Sequence, residues 1–323
     1  MSSASTNPIA PMEHPARLGG RLAVAAGDIK LSHSIFAMPF ALLATFLARP
    51  VDMAWSKFAL VLALVVACMF VARTWAMIIN RLADRGLDAA NPRTARRAFA
   101  SGRLSPAFGA GLALALVAAF ATLTSLFWLL LANPWPLFLS LPVLAWIGLY
   151  SITKRFTWAC HLFLGTSLAA SPLAAAIAIN PAVLGLSDGP ELPGVRACLL
   201  LLASMVTLWV AGFDIIYALQ DVDVDRRDGL YSIPSRLGVP TALWLSRAFH
   251  LGAFALLVFA WRADPRLGAL FGFGVACVGL LLVIEHAILA RRGKAGLEAA
   301  FFTVNGVVSL LVGSLGICDL VLV

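Results

Sequence analysis

Two clusters of polar residues, each with a four-residue spacing, follow long apolar segments: Asn80, Asp84 and Asp88, and then Asp221 and Asp225. Residues four apart lie on one face of a helix. An ionisable side chain at bilayer depth costs about 2.5–3.5 kcal/mol on insertion scales, so it marks a functional site. An all-oxygen ligand set suits Mg²⁺ better than zinc, and Mg²⁺ usually also binds substrate phosphates. The clusters therefore predict a magnesium site for a phosphorylated substrate.

The composition is typical of a polytopic membrane protein. Of the 323 residues, 61% are hydrophobic and only 12% are charged, whereas a soluble domain has about 25% charged residues. The mean hydropathy is +0.92. No long polar segment remains for a soluble domain. We therefore predict a disordered or interfacial N-terminal segment over residues 1–28 and a single transmembrane domain over residues 29–323.

About nine segments are apolar enough to cross a bilayer, which takes about 20 residues. They lie near 31–48, 58–80, 106–131, 134–151, 158–179, 197–219, 241–261, 267–290 and 298–321. Proline-containing pairs such as Arg49-Pro50 and Asn133-Pro134 lie at segment ends, as chain breaks should. The predicted fold class is all-α, with about nine transmembrane helices.

The basic residues predict the topology. Most of the 24 Lys and Arg residues lie in alternate loops, while the opposite loops hold Arg49, Lys57, Arg196, Arg262 and Arg266. This bias predicts a cytoplasmic N-terminus and places both carboxylate clusters on the cytoplasmic side, where they could converge. The net charge of +8 follows the same loop pattern, so nucleic acid is not the expected partner.

A carboxylate site at the mouth of an apolar bundle favours a substrate with a diphosphate head and a long apolar tail. Such a substrate is an isoprenyl diphosphate. Loss of diphosphate leaves an allylic carbocation, which needs a dry, shaped cavity to avoid capture by water. The diphosphate charge also needs nearby cations, and the loops on the same side supply candidates: Arg93, Arg96, Arg97, Arg103, Lys154, Arg155, Arg226, Arg227 and Arg236.

These motifs resemble those of the UbiA superfamily of intramembrane aromatic prenyltransferases. Residues 80–88 match the NxxxDxxxD pattern of that family, and Asp221 and Asp225 match its DxxxD pattern. Residues 93–103 resemble its basic loop, and residues 150–155 resemble its Tyr-x-x-x-Lys-Arg motif. One departure is Arg96-Arg97-Ala98, where some members have Asn-Arg-Pro. The likeness extends from about Ile29 to the last segment.

The resemblance implies a bundle of nine helices around a central cavity, with cytoplasmic loops that cap the site. It implies an enzyme that transfers a prenyl group from polyprenyl diphosphate to an acceptor with Mg²⁺. Residues 29–39, 153–158 and 213–221 resemble the branch that acts on aromatic acids in quinone biosynthesis. The acceptor would then be 4-hydroxybenzoate, for ubiquinone, or 1,4-dihydroxy-6-naphthoate, for menaquinone. The expected location is a bacterial inner membrane.

The expected roles follow from the residue types. Asp84, Asp88, Asp221 and Asp225 are the predicted metal ligands, and helix-end carboxylates paired with arginine are the alternative. Asn80 orients a ligand or contacts phosphate. Arg97 and Lys154 are the main predicted diphosphate-binding cations, with Arg155 and Arg227 as further candidates.

The remaining assignments are less constrained by spacing. Tyr150 stabilises the allylic cation through its ring face or is an interface tyrosine. Asp228 is a further ligand or a loop cap, and Lys30 holds the acceptor carboxylate. Asp214 lines the cavity or bonds to a neighbouring helix. The histidines His33, His161 and His286 have no metal-ligand spacing, so we expect them to be packed or at an interface.

Two other functions fit parts of the pattern. Intramembrane acids also mark the cation or proton pathways of transporters, although transporter sites usually lie near the midplane on broken helices. A prenyltransferase of the same family could instead act on a haem or chlorophyll precursor. A soluble prenyl synthase with paired aspartates is excluded by the hydropathy. A labelled polyprenyl diphosphate, offered with each aromatic acid, would distinguish these possibilities.

Overall fold

The computed structural model describes residues 17–28, 36–190 and 192–322, and within them the protein is helical with no strand. The α-helices are α1 Leu18–Asp28, α2 Met38–Leu47, α3 Trp55–Ala83, α4 Arg85–Ala90, α5 Pro106–Leu131, α6 Trp135–Phe138, α7 Ser140–Thr153, α8 Cys160–Ile179, α9 Pro193–Ala218, α10 Val222–Arg227, α11 Ile233–Leu237, α12 Val239–Ala263, α13 Ala269–Arg292 and α14 Asn305–Leu322. A π-helical turn, Ala299–Val304, leads directly into α14. The predicted all-α fold class is confirmed.

Eight helical spans are long and apolar enough to cross a membrane, and the protein is an integral membrane protein. All eight match the predicted segments from α3 onward with shifts of a few residues, and α6 and α7 together form one span. The final span, Ala300–Leu322, joins the π-helical turn to α14. The first predicted segment is present as the shorter apolar helix α2. The prediction of about nine helices therefore holds, with one helix shorter than a full crossing.

Helix α9 lies at the centre of the bundle and carries the second carboxylate motif at its end. Two thirds of its most apolar window is buried, more than in any other of the eight spans, because its sequence is apolar around its whole circumference. It packs mainly against α8 and α12. Gly165 of α8 faces the backbone of Thr207 so closely that a Cβ would collide with it. The small residue lets the two helices approach closely.

The N-terminal segment reaches the site through α1. Asp28, the last residue of α1, forms an ion pair with Arg81 of α3 at 3.6 Å, and both side chains are nearly buried. Residues 18–28 of the segment predicted to be disordered or interfacial are therefore helical. Residues 1–16 lie outside the described part of the chain. The single-domain division at residues 28 and 29 stays a prediction.

Candidate active site

The first motif lies where the long helix α3 ends and the short helix α4 begins. Asp84 is the residue between them, so the four-residue spacing of the motif spans a break between two helices. The helical hydrogen-bond register nevertheless continues, since the backbone N–H of Asp84 donates to Asn80 and that of Asp88 donates to Asp84. The Asn80 amide also donates to the Asp84 carboxylate, with an N–O distance of 3.3 Å. The three side chains therefore share one side, as their spacing predicts.

The second motif has the same construction. Helix α9 ends at Ala218, Asp221 precedes α10, and the backbone N–H of Asp225 donates to the carbonyl of Asp221 at 2.8 Å. Asp225 is buried, whereas Asp223 is exposed. This exposure fits the spacing, since a residue two positions from Asp221 and from Asp225 does not share their helix face. Each motif thus places one carboxylate just before a short helix and the next carboxylate on that helix, after a membrane-spanning helix has ended.

The turn after α10 ties the second motif to the loop between α7 and α8. Gly229 has φ of +69°, a left-handed conformation that favours glycine. This turn lets Leu230 donate to the Asp225 carbonyl at 2.8 Å and Tyr231 donate to the Lys154 carbonyl at 2.6 Å. Because these bonds link α10 to the loop that follows α7, the positions of Asp225 and Lys154 depend on each other.

Cations of the first basic loop contact both motifs. Arg93 donates three hydrogen bonds to Asp221, with the shortest N–O distance at 2.7 Å. Arg97 donates to Asp88 at 2.7 Å. The Arg93 pair joins residues 128 positions apart in the sequence. It therefore holds the two motifs at one end of the bundle, where the topology predicted that they could converge.

Lys154 and Arg155, which follow α7, form ion pairs with the other two motif carboxylates. Lys154 lies 3.8 Å from Asp225, and Arg155 lies 3.2 Å from Asp84. Arg155 also donates to the backbone carbonyl of Ala83. Both carboxylates are buried, and desolvation raises the pKa of each, although Lys154 counteracts the rise at both sites. Their ionised forms are thus less stable than in water, so additional positive charge would stabilise them.

A cavity of about 180 Å³ lies between the two motifs. Its lining includes most of the residues predicted from sequence: Asn80, Asp84, Asp88, Arg97, Tyr150, Lys154, Asp221, Asp225 and Asp228. Arg93 and Asp214 line it as well. The structure therefore brings the predicted carboxylates, the two main predicted cations and the predicted aromatic ring to one cavity.

Two predicted binding residues that the structure describes, Arg155 and Arg227, are not part of that lining. Arg155 contacts Asp84 from outside the cavity. Arg227 is more than half exposed and pairs with its neighbour Asp228, which keeps the pKa of that carboxyl below its usual range. It also reaches the carbonyl of Ala90 in the first half of the chain. Lys30 lies outside the described residues, as does His33.

Sequence reasoning left the partners of the polar residues deeper in the cavity undetermined. His161 Nδ1 lies 2.7 Å from the Asp214 carboxylate, and both residues line the cavity. The expectation of a packed histidine holds for His161, which is buried, but it misses this contact. Tyr217 also lines the cavity and stacks on Phe301, with ring centroids 4.2 Å apart. The available sequence signal is the position of Asp214, an acidic residue four positions before the apolar helix α9 ends at Ala218.

The sequence profile of the UbiA prenyltransferase family matches residues 37–307, which is most of the chain. The chain belongs to the UbiA prenyltransferase family. This result confirms the resemblance carried by the motifs. It also identifies the protein as a prenyltransferase, so the cavity between the two motifs is a candidate prenyltransferase active site.

Relatives and solved structures agree with this assignment. The prenyltransferase is 29% identical to the 4-hydroxybenzoate octaprenyltransferase of Edwardsiella ictaluri over 76% of this chain and 79% of the relative. The apo structure of a UbiA homolog from Aeropyrum pernix K1 is 32% identical, with a TM-score of 0.76 over 90% of this chain and 99% of that one. A UbiA homolog from Archaeoglobus fulgidus, solved with DMAPP and Mg²⁺, is 15% identical, with a TM-score of 0.62 over 94% and 99%. This last likeness concerns the fold alone.

The carboxylates of this UbiA family member fit a divalent cation that a substrate helps to bind. In the described part of the chain, no three His, Cys, Asp or Glu side chains are close enough to hold a metal ion by themselves. Mg²⁺ commonly takes only one or two carboxylates and completes its shell with phosphate and water oxygens. Asp88 Oδ2 is buried without a hydrogen-bond partner, and such an oxygen is costly unless something binds it. The cavity therefore has the oxygen chemistry that a magnesium–diphosphate complex requires.

Proposed function

We propose that this enzyme transfers a polyprenyl group from polyprenyl diphosphate to the aromatic ring of 4-hydroxybenzoate, a step in ubiquinone biosynthesis. The observation that carries the proposal is the cavity in which Asp and Arg or Lys residues of both motifs meet at the end of an apolar bundle. The choice of acceptor is supported by relatives from several bacteria that bear the name 4-hydroxybenzoate octaprenyltransferase, including those of Edwardsiella ictaluri and Chromohalobacter salexigens. The second candidate acceptor is 1,4-dihydroxy-6-naphthoate.

The cations of the cavity bind the diphosphate in this proposal. Arg97 offers planar, paired donors that match phosphate oxygens, while Lys154 offers a compact charge. Arg97 now donates to Asp88, and Lys154 lies beside Asp225. Both side chains therefore already lie beside the proposed metal ligands. A diphosphate bound to the metal would reach them without a large movement of the protein. Asn80 orients Asp84 through its amide hydrogen bond.

Mg²⁺ held by Asp84, Asp88, Asp221 and Asp225 would neutralise the diphosphate and make it a better leaving group. Burial raises the pKa of Asp84 and of Asp225. A bound cation would therefore stabilise their ionised forms. Asp228 lines the same cavity at its outer edge, where Arg227 keeps its carboxylate ionised. Arg155 holds Asp84 in place from outside the cavity, since it donates to the Asp84 carboxylate and to the Ala83 carbonyl.

The apolar helices protect the cationic intermediate. Tyr150 lines the cavity within α7, and the face of its ring can stabilise an allylic cation as it forms. The polyprenyl tail extends among the membrane helices or into lipid, away from water. Lys30 is retained as the proposed contact of the acceptor carboxylate.

We also propose a bacterial inner membrane location with the N-terminus and the active site facing the cytoplasm. Support comes from the positive-inside bias, since the loops around the cavity hold Arg93, Arg97, Lys154 and Arg155. Cysteine labelling of intact cells and of inverted vesicles tests this orientation. Label at Arg96→Cys in inverted vesicles but not in intact cells is the expected result, and the reverse pattern contradicts it.

The activity is tested with membranes that contain the protein, Mg²⁺ and a radiolabelled polyprenyl diphosphate. Each aromatic acid is offered separately, and we expect a prenylated product from 4-hydroxybenzoate that disappears when the metal is chelated and returns when Mg²⁺ is added. Product from the naphthoate alone would replace the proposed acceptor by the second candidate. Membranes with a double Asp84→Ala, Asp221→Ala variant are the control, and full activity in that variant would contradict the proposed metal ligands. No prenylated product from either acid would favour a different acceptor.

A further inference from the structure

Asp214 differs from the other carboxylates of the active-site cavity. The motif carboxylates Asp84, Asp88, Asp221 and Asp225 are each within 4.0 Å of an Arg or Lys. In the described part of the chain, the ion-pair partner of Asp214 is instead a histidine, His161. Asp214 is thus a cavity carboxylate within an apolar helix whose partner is an imidazole and not an arginine or lysine.

The hydrogen bonds of His161 determine its tautomer. The backbone N–H of Ile233 donates to His161 Nε2 at 3.2 Å, so that nitrogen carries a lone pair and no proton. The proton of the neutral ring then lies on Nδ1, which donates to Asp214 Oδ2 at 2.7 Å. Asp214 Oδ2 is the acceptor of this bond. A neutral imidazole therefore holds the carboxylate in place and leaves its second oxygen, Oδ1, available to another proton donor.

The position of Asp214 suits the acceptor ring. It lies inside α9, four residues before the helix ends, whereas Asp221 follows that end. Four helical residues correspond to about 6 Å along the axis. Asp214 therefore lies deeper than the diphosphate-binding rim, and Tyr150 and Tyr217 line the same cavity. The carbon that leaves the diphosphate and the ring that attacks it must meet at this inner end.

We propose that Asp214 is the base that removes the ring proton of the aromatic acceptor and that His161 positions it. This inference rests on the proposed function. The bond between prenyl C1 and the diphosphate oxygen breaks, and its electron pair leaves with the diphosphate. A ring carbon ortho to the acceptor hydroxyl forms the new bond to C1, since the para position carries the carboxylate. The electron pair of the ring C–H bond restores aromaticity, and its proton passes to the Asp214 carboxylate.

The test compares turnover of ordinary 4-hydroxybenzoate with turnover of the same acid deuterated at both positions ortho to the hydroxyl. In the wild-type enzyme proton loss follows bond formation quickly, so we expect little isotope effect. In Asp214→Asn we expect kcat to fall by about 100-fold or more, as for loss of a general base, with the KM for polyprenyl diphosphate nearly unchanged. Because proton loss becomes slow, a primary isotope effect should appear. Turnover like that of the wild type would overturn the proposal, as would a large loss without an isotope effect.

If turnover of Asp214→Asn falls below detection, binding decides. Retained Mg²⁺-dependent binding of radiolabelled polyprenyl diphosphate and of 4-hydroxybenzoate supports a catalytic role, while loss of either overturns it. His161→Leu should show a smaller fall in kcat together with an isotope effect, and His161→Gln, which can still donate to Asp214, should recover part of the rate. Equal rates in the two His161 variants would contradict the positioning role.

The matched control is Asp319→Asn. Asp319 is also a buried carboxylate inside a span, and it accepts a hydrogen bond from the backbone N–H of Phe271 at 2.8 Å, away from the cavity. This variant should show wild-type kcat and no isotope effect. A failure of the proposed function would appear in the wild-type enzyme, which would then make no prenylated aromatic acid, whereas failure of the Asp214 assignment would appear only in the variants.

Discussion

The bundle holds carboxylates in two different settings. In the active-site cavity, Asp88 pairs with Arg97 and has a second oxygen without a partner. In the C-terminal helices, Glu285 is completely buried, accepts a hydrogen bond from Asn305 at 2.8 Å and lies 3.5 Å from His250. The first setting combines cations and open space. The second is closed, with an amide and an imidazole near the carboxylate, and Glu285 Oε2 likewise has no hydrogen-bond partner.

This difference shows how the same residue type can serve binding or packing. Asn305 also accepts from Trp209 at 2.6 Å and donates to the Ala300 carbonyl at 3.0 Å, within the π-helical turn. The Asn305 network thus connects α9, α13 and the start of α14. Buried hydrogen bonds of this kind hold helices together in a membrane. The cavity carboxylates repel each other and are desolvated, so they are retained for the ligand that they bind.

The largest expected effect is that of removing the charge of Asp88. Asp88→Asn keeps the shape of the side chain and an oxygen for Arg97 but removes a proposed metal ligand. We expect kcat/KM to fall by about 100-fold or more, since metal stabilisation of a leaving group is worth several kcal/mol. The midpoint of thermal unfolding in detergent should stay equal or rise, because a buried charge is lost. Prenyl transfer assays and thermal unfolding check the two results.

The control for this change is Asp223→Asn, which alters an exposed carboxylate of the second motif. It should leave both activity and unfolding unchanged. If Asp88→Asn kept its activity but lost stability, the proposed difference between the two settings would be contradicted. The cavity carboxylate would then stabilise the bundle, as the buried Asn305 network does.

The network around Asn305 should show the opposite pattern. Asn305→Leu keeps a similar volume but removes three hydrogen bonds, to Trp209, Glu285 and Ala300. At about 0.6 kcal/mol for each bond within a membrane, we expect a loss of about 2 kcal/mol in the free energy of unfolding. This loss corresponds to a fall of about 4 °C in the unfolding midpoint. Specific activity per folded molecule should stay within about threefold.

Val307→Leu, a change at a half-exposed position on the same helix, is the matched control and should shift the midpoint little. A wild-type midpoint in Asn305→Leu would show that the network does not stabilise the bundle. A large loss of specific activity in folded protein would show that the network also acts on the cavity, through the π-helical turn and the contact between Phe301 and Tyr217.

The sequence predicted the carboxylates of the cavity because charge is costly in an apolar chain and because a four-residue spacing survives even where the helix breaks at Asp84. The partners of these residues depend on helix packing and could not be predicted. Arg93 and Asp221 are 128 residues apart, and His161 and Asp214 are 53 apart. No local pattern specifies such pairs, since they exist only once α8 and α9 or the two motif loops are side by side. The same limit left Arg227 as a further candidate beside Arg97, the main predicted cation.

The smallest expected effects separate those two arginines. Arg97 lines the cavity and is about a quarter exposed, whereas Arg227 is 54% exposed and pairs only at the surface with Asp228. Arg97→Ala should raise the KM for polyprenyl diphosphate by about tenfold, the value of one charge-assisted hydrogen bond to phosphate. Arg227→Ala should change it by less than about threefold, since exposed ion pairs contribute little. Initial-rate measurements at saturating acceptor give both values. Equal KM values for the two variants would mean that the diphosphate also contacts the outer edge of the cavity. Arg227 would then be a binding residue and not a surface residue.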